Sequence, residues 1–63
     1  MGLSAREVEV LRLVARGFSS AQVADRLIIS TTTVSAHLRS IYNKLGVSSR
    51  TAAVHFAMEH GLL

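Results

Sequence analysis

The stretch from Ser30 to Gly46 limits what this chain can become more than any other part of it. Ser30 is followed by Thr31, Thr32 and Thr33, and then Val34, Leu38, Ile41 and Leu45 recur at i, i+4, i+7 and i+11. Residues three and four apart are neighbours on a helix surface, so all four apolar side chains share one stripe. Ser30 is a residue type that accepts an orphan backbone N–H at a helix start, and Gly46 can take the left-handed conformation that ends one. The pattern predicts a helix over residues 31–45 with one face made for a core. Its opposite face carries Thr32, Ser35, Ala36, Arg39 and Asn43, which are small or polar.

A single stripe needs other helices to cover it, and the rest of the chain supplies three. Ser4 with Glu7 is a capping box, in which each side chain satisfies the other's backbone N–H. It predicts a first helix whose Val8, Leu11, Val14 and Ala15 lie on one face, closed by Arg16 and Gly17. Ser19 with Gln22 repeats the box and opens a second helix of about eight or nine residues, with Val23, Ala24 and Leu27 as its stripe. Ile28 and Ile29 are expected to plug the core from the following turn. A fourth helix is expected from Ser48 or Ser49 to His60, stopped by Gly61, with Ala53, Val54 and Ala57 inward. Proline is absent and alternating β-branched runs are few, so the fold class is all-α with four helices.

The chain has 63 residues, enough for one domain with a marginal core. It has no cysteine, so neither a disulfide nor a thiolate-bound metal can reinforce the fold, and packed aliphatics must. No apolar run approaches the roughly 18 residues a membrane span needs. No signal peptide is apparent either, which leads to the expectation of a cytoplasmic protein.

Charge is distributed unevenly. In residues 1–25, Arg6, Arg12 and Arg16 are balanced by Glu7, Glu9 and Asp25. Residues 26–58 carry Arg26, Arg39, Lys44 and Arg50 with no acid. An acid-free half that contains the most regular helix is either a phosphate-facing surface or a solvated basic face.

Two helices joined by a short turn, the second with a small polar outer face, describe a helix-turn-helix. Such a helix meets the requirements for reading duplex DNA. Its N-terminus has unpaired N–H groups and a partial positive charge suited to a phosphate, with hydroxyls from Ser30, Thr31, Thr32 and Thr33 around it. Ser35 and Ala36 are small enough for a groove, and Arg39 can pair with a guanine edge. Lys44 and Arg50 are expected to grip the backbone. Each has an ordinary alternative: three threonines can be only a capped first turn, and Arg39 can lie along its own helix. On the fourth helix, Thr51, Ala52, His55 and Glu59 form a second, small face that either accepts another copy's helix or meets solvent.

Taken in register, these residues resemble the LuxR/FixJ-type helix-turn-helix domain of bacterial transcriptional regulators. The likeness runs from Leu3-Ser4-Ala5-Arg6-Glu7-Val8-Glu9-Val10-Leu11 through Gly17-Phe18-Ser19 and Val23-Ala24-Asp25-Arg26-Leu27. It continues with Ser30 to Val34, His37-Leu38, Ile41, Lys44-Leu45-Gly46-Val47 and Arg50-Thr51. The resemblance implies a four-helix domain spanning residues 1–63, carried at the C-terminus of a longer regulator. It implies sequence-specific binding of double-stranded DNA with the third helix in the major groove, and homodimer formation through the fourth. By the same likeness Ser35, Ala36 and Arg39 sit where bases are read, and Thr31, Thr33 and Lys44 where phosphates are touched. Many members have lysine in place of Ser35 and a charge in place of Ala21, so recognition here is expected to lean on Arg39 and the hydroxyls.

An enzyme is not expected. His37, His55 and His60 lack the spacing of a metalloprotease helix, there is no cysteine nucleophile, and no cofactor or metal site is implied. His37 either bonds a phosphate or packs beside Tyr42, the structural role being favoured. The other readings are a protein-interaction module and a sigma-factor-like promoter-binding domain that also meets RNA polymerase. A protein-binding helix would be expected to expose large anchors, whereas Ser35, Ala36 and Ser40 are small.

Overall fold

The computed structural model describes residues 2–62. Four helices follow one another: α1 (Ala5–Ala15), α2 (Ser20–Leu27), α3 (Thr31–Leu45) and α4 (Arg50–Glu59). Among the described residues all regular structure is helical. Every helix starts on a serine. Ser4 and Ser19 form complete capping boxes with Glu7 and Gln22, while Ser30 and Ser49 accept from the N–H groups of Thr33 and Ala52. The punctuation expected from sequence is therefore present at all four N-termini, because a serine oxygen two or three residues upstream of an orphan N–H needs no tertiary help.

Val10, Leu11, Val14, Val23, Val34, Leu38, Ile41, Ala53 and Ala57 are buried together in the core. Helix α3 contributes Val34, Leu38 and Ile41, with Leu45 half-buried at its end. Gly46, at φ +68°, then turns the chain in the left-handed region. Helix α4 packs on α1 and α3 through Ala53 and Ala57, both fully enclosed. Side chains that small let helix backbones approach closely.

The first helix departs from its expected single stripe. Val8 and Ala15 are only half-buried, whereas Glu7, Val10 and Leu13 are buried beside Leu11 and Val14. The reason is that α1 touches α2, α3 and α4, so more than one side of it is covered.

Ile28 also departs. Instead of plugging the core, it stands in water with 91% of its surface exposed, and only Ile29 packs inward. Ile28 ends α2 at φ 58° and ψ 50°, which aims its side chain away from the bundle. A β-branched residue is a poor occupant of the left-handed region. Replacing it with asparagine, which tolerates that region, is expected to raise stability by about 1 kcal/mol. Urea unfolding measures this directly, and a loss of stability would mean that Ile28 packs in solution.

Candidate nucleic-acid interface

The turn Ile28-Ile29-Ser30 sets α3 against α2 with the apolar stripe of α3 inward. Rotation of the helix does the rest: with Val34, Leu38 and Ile41 buried, Thr31, Thr32, Thr33, Ser35, Ala36, Arg39 and Asn43 face outward and are exposed. Ser35, Ala36 and Arg39 lie within about one turn of each other, so the bundle brings together the three residues expected to read bases. At about 1.5 Å per residue, α3 presents a rod about 22 Å long.

At the N-terminus of α3, Ser30 Oγ accepts from the Thr33 N–H at 3.1 Å and lies 2.9 Å from Thr33 Oγ1. Those two hydroxyls therefore serve the cap first. The N–H groups of Thr31 and Thr32 have no intrahelical acceptor, as in any first turn, and both residues are exposed.

The remaining basic residues expected at this surface are held from inside. Lys44 Nζ donates to Glu7 Oε1 at 2.8 Å, and the Glu7 side chain is only 5% exposed. The Ser4 N–H donates to the same oxygen at 2.8 Å. Hydrogen bonds from Lys44 and Ser40, then from Ser4, outweigh the burial and hold the Glu7 carboxyl at about 2, against 4.5 ordinarily. Ser40, expected on the outer face, is thus half-buried and turned towards this carboxylate.

Arg50 is engaged in a different way. Its guanidinium donates to Ser20 Oγ at 2.7 Å and to the Phe18 carbonyl at 3.3 Å, strapping the start of α4 to the start of α2. An open groove runs beside this strap, lined by Ser20, Ser35, Leu38, Arg39, Tyr42 and Arg50. Ser20 and Tyr42 are the members that sequence reasoning missed. No local spacing announces them, because their meeting depends on how α2 packs against α3 and on the reach of Arg50 from the start of α4.

On α4, Thr51, His55 and Glu59 are exposed and Ala52 is half-buried, so the four residues expected at a dimer contact do share one side. His55 Nδ1 lies 3.5 Å from Glu59 Oε1. Met58, which no sequence pattern singles out, is 62% exposed. His60 stacks on Phe56 at 4.0 Å between ring centroids, so it takes part in local packing. His37 is half-buried on α3. Among the described residues no group of acidic or histidine side chains could hold a metal ion, and no helix is long and apolar enough to cross a membrane.

Comparison with known proteins gives a consistent answer. A family model described as bacterial regulatory proteins, luxR family, matches residues 1–57. The Fimbriae Z protein of Salmonella typhimurium is 44% identical over 63 residues, which cover 100% of this chain and 30% of that protein. The transcriptional regulatory protein YdfI of Bacillus subtilis is 49% identical over 61 residues, covering 97% of this chain and 29% of its own. Among solved structures, the response regulator ChrA of a heme-sensing two-component system superposes with a TM-score of 0.92 at 48% identity, over 100% of this chain and 31% of that one. The chain thus spans about 30% of the length of these relatives.

Proposed function

Because this chain belongs to the luxR family of bacterial regulatory proteins, we propose that it is a regulator's DNA-binding domain and lays α3 in the major groove of duplex DNA. The observation that carries this reading is the outer face of α3: small at Ser35 and Ala36, cationic at Arg39, and free of acids along its length. In this reading Arg39 pairs with a guanine edge while Ser35 and Ala36 let the helix sit deep enough for it to reach. The first turn of α3 meets a phosphate through the Thr31 and Thr32 N–H groups and hydroxyls, with Ser30 and Thr33 holding that turn in shape. Lys44 and Arg50 lie at the margin. They fix α3 and α4 through their internal bonds and reach a phosphate only by giving those bonds up.

Binding as a dimer belongs to the same proposal. Thr51, Ala52, His55 and Glu59 would meet their copies across a two-fold axis, setting two α3 helices on half-sites about 10 base pairs apart. A regulator seated in this way works on cytoplasmic DNA and acts on transcription through RNA polymerase.

Salt dependence of binding to a labelled duplex tests the proposal. Each phosphate contact contributes about −0.9 to the slope of log affinity against log salt, so a few contacts per domain predict a slope of about −2 to −4. An affinity indifferent to salt, or equal for duplex and unrelated polyanion at every salt concentration, would remove the proposal's basis.

A further inference from the structure

A second surface lies between α1 and α2 and shares no lining residue with the groove beside Arg39. It is a cleft lined by Glu9, Arg12, Leu13, Arg16, Arg26 and Leu27. Leu13 and the half-buried Leu27 give it an apolar floor, and three arginines stand around it against one glutamate. That glutamate is already partnered, since Glu9 Oε1 lies 3.7 Å from Arg6 Nη1.

Two of the arginines are held in place. The Arg12 Nε donates to the Leu62 carbonyl at 2.9 Å, and the Arg26 guanidinium lies 5.8 Å from the centre of the Phe18 ring. A guanidinium fixed in advance loses less freedom when it meets a carboxylate, and its planar fork matches that partner. Directly after Leu27 comes Ile28, the exposed apolar residue in a backbone conformation it does not favour. Nothing inside the fold uses its side chain.

We propose that this cleft, together with the exposed Ile28 that directly follows its lining residue Leu27 in the chain, is a docking site for an acidic amphipathic helix of a partner protein. The helix would set leucine-type side chains against Leu13, Leu27 and Ile28 and its carboxylates against Arg12, Arg16 and Arg26. The charge on the rim selects an acidic partner over a basic one, and the apolar floor selects an amphipathic segment over a free anion. Duplex DNA has the charge but no apolar side chain to cover Ile28. The site therefore stands apart from the DNA-binding reading and does not rest on it.

The test is an amide NMR titration of the chain with a short synthetic peptide, leucine at i, i+3, i+4 and i+7 and glutamate between. One control peptide has lysine for every glutamate, and another has alanine for every leucine. The expected result is shifts at residues 9–16 and 26–28 with the acidic peptide and not with either control. Arg16→Gln with Arg26→Gln should abolish them, and Ile28→Asn should weaken the peptide about tenfold while the amide spectrum stays folded. The same Ile28→Asn chain should bind duplex DNA as tightly as the parent. Equal shifts from the lysine or alanine peptide, or indifference to the substitutions, would overturn the proposal. So would a loss of duplex affinity in Ile28→Asn, which would assign the turn to nucleic acid instead.

Discussion

Lys44→Ala is expected to lower the stability of the fold by about 2–3 kcal/mol at neutral pH, a large part of what a domain of this size possesses. The substitution leaves Glu7 Oε1, in a side chain only 5% exposed, without its cation. A buried carboxylate stripped of its partner is among the more damaging single changes. The figure sits below the range for fully enclosed pairs because the Lys44 side chain is 40% exposed and water can partly replace it. Glu7→Gln should cost less. It leaves behind a lysine that can turn to solvent, while the amide oxygen of the substituted side chain can still cap the Ser4 N–H.

The same pair sets the acid response. Glu7 titrates at about 2 in the fold against 4.5 in the unfolded chain, so the unfolded chain takes up its proton first as pH falls. The contribution is complete above 4.5, declines below it, and is gone once pH passes about 2. The difference between those values amounts to about 3 kcal/mol. Urea melts at pH 7, 4 and 2 therefore check both statements. The deficit of Lys44→Ala should be largest at pH 7 and should nearly vanish at pH 2, where the parent has lost the interaction as well. A deficit that stays constant with pH would show that Lys44 stabilises by packing its stem.

Arg39→Ala is the second large effect, and it concerns recognition. Arg39 is exposed on α3 beside Ser35 and Ala36, and the salt bridges of the described residues do not include it. Its removal should leave stability within about 0.5 kcal/mol of the parent, as for most surface positions. It should cost about 1–3 kcal/mol in affinity for the preferred duplex and relax choice at one base position. Selection from a randomised duplex pool, run with parent and variant in parallel, reads both quantities. An Arg39→Ala chain that selects the same sequence with the same affinity would mean that bases are read elsewhere.

What is legible in the sequence is what local chemistry decides. Ser4, Ser19 and Ser30 announce helix starts because their capping partners lie three residues away, and the stripe Val34, Leu38, Ile41 follows from helix pitch alone. The exposed set Ser35, Ala36, Arg39 comes with that stripe, being its complement. What stays hidden depends on packing. Glu7 and Lys44 are 37 residues apart, and local pattern reads one as a cap and the other as a phosphate grip. Arg50 looks free until α4 brings it against Ser20, 30 residues away. Ile28 misleads for a different reason: hydrophobicity argues for the core, but the left-handed turn that closes α2 decides where its side chain points.

Whether α3 enters duplex DNA with its outer face is decided by amide NMR of the labelled chain titrated with a short duplex. At low salt the expected shifts are concentrated in residues 30–44, strongest around Thr31, Ser35, Ala36 and Arg39, and fade as salt is raised. Shifts absent at low salt, or confined to residues 50–60, would contradict entry of α3 into the duplex.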